Sequence, residues 1–138
     1  MIRIGDELIH ALRGGEYPVP VAVRDFYSPE PVKPPMLVLD ESLSNDGVYL
    51  NGQPAVVTNI ITLEAYAKAR TLQGRAVSQR DLAMGILMEA DRILNQQYGL
   101  TMRGQAVTAP YQDQGVCRAV ARYIGYIDTR TNEILRGI

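Results

Sequence analysis

The stretch from Ser78 to Gly99 constrains this chain more than any other. Leu82, Ile86, Ala90, Ile93 and Leu94 recur at helical spacing, and Met84, Leu87 and Met88 widen the apolar stripe. Ser78 followed by Asp81 forms a short variant of the capping box, and Gly99 stands where a left-handed C-terminal cap belongs. A helix of about 20 residues is a rod of roughly 30 Å. So wide a stripe has to be covered, and the sequence around it supplies strands to do so.

The clearest strand precedes the helix. Val57, Asn59, Ile61, Leu63 and Ala65 alternate with Val56, Thr58, Ile60, Thr62, Glu64, Tyr66 and Lys68, so the two sets line opposite faces. Both faces are half apolar at its start, which predicts a central position for that half. Upstream, Val21 to Tyr27 and Met36 to Asp40 read as two more strands. Between them Pro29, Pro31, Pro34 and Pro35 impose extended backbone without donors, as at a sheet edge or surface crossing. Ile4, Leu8 and Leu12, ended by Gly14 and Gly15, predict a short first helix. The turn-forming residues between Glu41 and Pro54 predict a projecting loop whose tip carries Val48, Tyr49 and Leu50. Arg70 to Val77 reads as a loop around Gly74. Beyond the long helix, Leu100 to Val107 and Val116 to Asp128 read as strands separated by a turn through Pro110, Asp113 and Gly115. The expectation is one α+β domain over residues 1–138: a mixed or antiparallel sheet of about five strands, packed against one long helix and a short N-terminal one.

Few residues are equipped for catalysis. His10 is the single histidine and Cys117 the single cysteine, which leaves no disulfide framework, thiolate zinc site or multi-histidine metal centre. His10 sits among structural residues of the first helix, and Cys117 lies within the last strand as a small hydrophobe. Carboxylate pairs such as Asp40 with Glu41, or Asp25 with Glu64, are the remaining acid-base or metal-binding option, but nothing in their spacing singles them out, and solvated surface charge or a local ion pair is the favoured reading. Neither a phosphate loop nor a dinucleotide fingerprint is present. The expectation is therefore no catalytic residue, cofactor or metal.

Charge narrows the partners. With 14 Lys plus Arg against 15 Asp plus Glu, the chain has a net charge of -1 and no overall field for nucleic acid or anionic membrane. No apolar run approaches the length of a membrane span, and the first residues do not form a signal peptide. Only Lys33 and Lys68 are lysines, against 12 arginines, the cation suited to fixed, planar pairing at interfaces. Arg118, Arg122 and Tyr126 share one face of the last strand with Val120 and Ile124, whereas Cys117, Ala119, Ala121, Tyr123 and Gly125 make a small apolar face suited to a helix. Arginines on a mostly apolar face need carboxylate partners or an adjoining subunit. Val48, Tyr49, Leu50, Arg118, Arg122 and Tyr126 are accordingly the candidate interface residues.

The order of elements and the stretch from Ala109 to Asp128, with Arg118 to Gly125 (Arg-Ala-Val-Ala-Arg-Tyr-Ile-Gly) at its centre, resemble the small tail-completion proteins of long-tailed bacteriophages, also called tail terminators or head-tail joining proteins. The resemblance covers nearly the whole chain in layout. It implies a mixed α+β subunit that assembles with itself into a ring, commonly a hexamer, at the head-proximal end of the tail tube. Such a ring stops tube polymerisation and provides the docking surface for the head connector or head-completion protein. It implies a structural virion protein assembled in the host cytoplasm, with DNA only passing through the lumen, and neither enzyme activity nor a cofactor. The loop from Ser42 to Gln53 matches no family motif. Another neck or head-closure protein is the alternative, followed by a small carboxylate-dependent hydrolase or nuclease and by a ligand-binding α+β domain.

Overall fold

Strict alternation in the middle of the chain produces a sheet with one covered and one open face. The computed structural model describes residues 4–27, 31–44, 49–50, 53–111 and 113–135, with 49–50, 53–54 and 113–114 as backbone only. The elements in chain order are α1 (Gly5–Arg13), β1 (Ala22–Asp25), β2 (Met36–Ser44), β3 (Tyr49–Leu50), β4 (Gln53–Pro54), β5 (Val56–Lys68), β6 (Arg70–Leu72), β7 (Arg75–Val77), α2 (Gln79–Tyr98), β8 (Val107–Tyr111), β9 (Asp113–Asp128) and β10 (Glu133–Ile134). The main sheet runs β1-β2-β5-β9-β10, and β8 also pairs with β9. β8 and β10 occupy successive stretches of the same edge of β9, so the sheet is five positions wide. Only β1 and β2 run parallel; the other pairings in the sheet are antiparallel. The α+β fold with a mixed sheet under one long and one short helix is the one the sequence implies.

β5 is central from Thr58 to Tyr66, with β2 on one side and β9 on the other, and β9 alone continues along its two ends. The register aligns Leu37, Leu39, Glu41 and Leu43 of β2 with Ala65, Leu63, Ile61 and Asn59 of β5, and these with Ala119, Ala121, Tyr123 and Gly125 of β9. That face is buried under α2, whose Leu82, Ile86, Leu87, Ala90, Ile93 and Leu94 form one core with it and with Leu8, Ile9 and Leu12 of α1. The caps of α2 are those the sequence predicts: Asp81 N donates to Ser78 Oγ at 3.1 Å, and Gly99 adopts φ 68°. Small residues on β9 let the helix approach the sheet, and a Cβ on Gly125 would come within 2.9 Å of Leu100 Cδ2.

Helix α1 starts without a side-chain cap of its own. Glu41 supplies one from β2: its carboxylate accepts from the backbone N–H groups of Ile4 at 3.1 Å and Gly5 at 3.0 Å, and from Asn59 Nδ2. A buried carboxylate at a helix N-terminus is favoured by the unpaired N–H groups and by the helix dipole together.

The connections differ most from the sequence reading. Residues 70–77 are not a plain loop but the two short strands β6 and β7, turning through Gln73 and Gly74 at positive φ. Leu100 to Val107 is not a strand apart from an isolated bridge between Met102 and Tyr123. The strand falls instead on Val107–Tyr111, where Pro110 was expected to turn the chain. The proline is tolerated because β8 lies at the edge of the sheet. β2 extends beyond Asp40 to Ser44. Val48 lies outside the described residues, and Tyr49 and Leu50 are described only as a backbone strand paired with Gln53–Pro54.

Candidate functional site on the open face of the sheet

The even-numbered side chains of β2, β5 and β9 point away from the helices. The register sets Met36, Tyr66 and Arg118 in one row, Val38, Glu64 and Val120 in the next, then Asp40, Thr62 and Arg122, then Ser42, Ile60 and Ile124, then Ser44, Thr58 and Tyr126. Arg118, Arg122 and Tyr126 are thus brought to one face, as their spacing predicts, and Cys117, Ala119, Ala121 and Tyr123 are buried on the other.

One end of this face is closed. Met36, Val38, Tyr66 and Val116 form a small second core with Val32 and Tyr111 packed against it. Tyr66 and Tyr111 meet edge to face with ring centroids 4.7 Å apart. The Tyr66 hydroxyl donates to Glu64 Oε2, and the same oxygen lies 3.8 Å from Arg118 Nη1. Burial first, and the hydrogen bond to Glu64 second, push the Tyr66 phenol above its ordinary pKa, so it stays a neutral donor. Glu64 therefore anchors Arg118, the carboxylate partner that a cation on an apolar face requires.

Among the described residues the rest of the face is open: toward the other end Ile60 is 39% exposed beside the half-buried Ile124, and at the β8 edge Val107 is 63% exposed beside the half-buried Val120. Arg122 is exposed and makes no side-chain ion pair among the described residues. A third arginine joins it: Arg103 N donates to Arg122 O at 2.7 Å, tying the loop after α2 to the edge of β9. Gly104, at φ 69°, turns this loop. Arg103, Arg118 and Arg122 line a concavity of about 390 Å³ together with Val107 and Val120. Guanidinium groups beside apolar side chains bind carboxylates or phosphates and supply no nucleophile or base.

The alternative catalytic pairs are not assembled. Asp40 and Glu41 are adjacent in β2 and point to opposite faces, with Glu41 committed to the N-terminus of α1. Asp25 is in register with Leu39 on the helix side, whereas Glu64 lies on the open side. His10 is exposed on α1, and Cys117 is buried on the helix side of β9. Among the described residues no three of His, Cys, Asp and Glu come together as a metal site. Nor is any helix among them long and apolar enough to cross a membrane.

Sequence reasoning missed Arg103 and Ile60 as site residues, and it weighed Glu64 only as a carboxylate partner of Asp25. Glu64 and Ile60 share the alternation of β5 with Tyr66, so an antiparallel pairing of residues 56–68 with 116–128 would have set them beside Arg118 and Arg122. Arg103 carries no such signal, because only the fold of the connecting loop brings it there. No protein-family model matches the chain, and comparison with curated proteins likewise gives no match.

Proposed function

We propose that this chain is a ring-forming tail-completion protein of a long-tailed bacteriophage, which ends tube polymerisation and receives the head connector. The observation that carries the reading is the open sheet face. It combines exposed aliphatic side chains with arginines, an arrangement suited to shape-specific pairing with protein surfaces. The α+β layout with a long helix behind the sheet is compatible with the subunit that the sequence resemblance implies. Near-neutral net charge also suits a ring through which DNA has to slide, since a strongly basic lumen would hold the phosphates.

The test is native mass spectrometry and negative-stain microscopy of the purified protein, alone and with the tail-tube protein of the same phage. Closed rings, or monomers that become rings on the end of the tube and cap its length, are the expected result. A strict monomer that never associates with the tube overturns the reading. A ring that binds a portal or connector and ignores the tube assigns the protein to the neck instead.

A further inference from the structure

The arginine concavity has a counterpart elsewhere on the molecule. Glu7 on α1 and Glu133 on β10 line a second concavity of about 340 Å³, together with Ile4, Tyr98 and Asn132. Both glutamates are exposed, and neither makes a side-chain ion pair among the described residues. The two hollows occupy different parts of the fold. The arginines lie on the open face where β8 and the loop after α2 meet β9; the glutamates lie where α1, the end of α2 and β10 converge. A surface that pairs with a different patch on an identical chain makes a heterologous contact, and repetition of that contact closes a ring or extends a filament.

We propose that the exposed arginines at the Arg103, Arg118 and Arg122 concavity of one copy pair with the exposed Glu7 and Glu133 of the next, and that this charge pairing sets the direction of assembly. The proposal rests on the ring reading and adds the surfaces that meet. Charge complementarity selects a second copy as the occupant: the chain carries both signs in separate hollows, although its net charge is only -1. Val107 and Val120, which also line the basic hollow, add apolar area beside the ion pairs. Arg118 is held by Glu64, so the exposed Arg103 and Arg122 are the cations free to move onto an incoming carboxylate.

The test uses two charge-reversed full-length chains, Arg103→Glu with Arg122→Glu, and Glu7→Lys with Glu133→Lys. The four positions are exposed, so each variant is expected to keep the far-ultraviolet circular dichroism and the thermal midpoint of the parent. Alone, each variant faces like with like, and its self-association weakens by about a hundredfold or more. Mixed in equal amounts, the two restore opposite charges at every contact and form alternating assemblies with an even number of subunits. Native mass spectrometry distinguishes the variants by mass and reads this order directly. If either variant assembles alone as the parent does, or if the mixture stays as inactive as its components, the pairing is wrong while the ring reading stands. A parent that forms no assembly, alone or on tail tubes, removes the ring reading itself. A third outcome also overturns the pairing: the arginine reversal abolishes binding of duplex DNA and leaves assembly intact, which assigns the concavity to phosphates.

Discussion

Replacing Glu41 by leucine should remove about 4 kcal/mol of stability. The carboxylate is 5% exposed and accepts from Ile4 N at 3.1 Å, Gly5 N at 3.0 Å and Asn59 Nδ2. A buried donor that loses its acceptor costs about 1–3 kcal/mol, and three are stranded here. Fraying at the start of α1 lets water reach the two backbone groups, which keeps the sum nearer the low end of the range. Asn59 has no such relief: it is fully buried, and its Oδ1 already accepts no hydrogen bond. Glu41→Gln keeps one acceptor oxygen and should lose about 2 kcal/mol. In urea, a slope of about 2 kcal/mol per molar turns these losses into midpoint shifts of about 2 M and 1 M. The double variant Glu41→Leu with Asn59→Leu removes the stranded amide along with its acceptor and should recover about 1–2 kcal/mol relative to Glu41→Leu alone. Equilibrium unfolding followed by circular dichroism measures all three. A loss below about 1 kcal/mol for Glu41→Leu, or a double variant less stable than the single one, would refute the argument. A gain in stability would point the other way, because catalytic carboxylates are commonly held at a cost to the fold.

Arg118→Ala with Arg122→Ala should leave the monomer folded within about 1 kcal/mol, since both side chains reach solvent, and should weaken assembly; a chain that unfolds instead makes the pair internal structural partners. Tyr123→Phe should cost about 1–2 kcal/mol, because the buried hydroxyl donates to Asp91 Oδ1 at 2.7 Å. The same phenol is pushed well above the ordinary tyrosine value by burial and by Asp91. A raised folded-state pKa gives stability that is whole below the unfolded value of about 10 and is lost as pH rises through the folded value. The parent should therefore lose stability above about pH 10 more steeply than Tyr123→Phe does, and ultraviolet titration should find Tyr17, Tyr66 and Tyr123 ionising above the ordinary tyrosine value. Gly125→Ala should cost about 1 kcal/mol by forcing Leu100 aside, and much less when Leu100 is also alanine; equal costs in the two backgrounds would count against that contact.

Local pattern was readable wherever one physical constraint acted along one element. Leu82 to Leu94 could only be an amphipathic helix, and Ser78 and Gly99 bounded it correctly, because caps depend on residues within a single turn. The alternation of Val57 to Lys68 assigned every side chain of β5 to its face, since the period of a strand is two. Pattern misled where the environment overrode composition. Pro110 was expected to turn the chain and instead sits in an edge strand, and the polar run from Arg70 to Val77 forms a hairpin through its two positive-φ residues.

The sequence by itself determined that this chain folds as helices on a sheet, that the last strand has a helix side and an arginine side, and that titratable groups suited to catalysis are few. Each of these follows from periodicity or residue count, which need no knowledge of neighbours. Tertiary structure alone decided which charges meet. It turned Glu41 inward to cap α1, gave Glu64 to Arg118, and carried Arg103 across the edge of β9 to stand beside Arg122. Those pairings join residues many positions apart, and strand register with the path of one loop sets them, which no local pattern encodes.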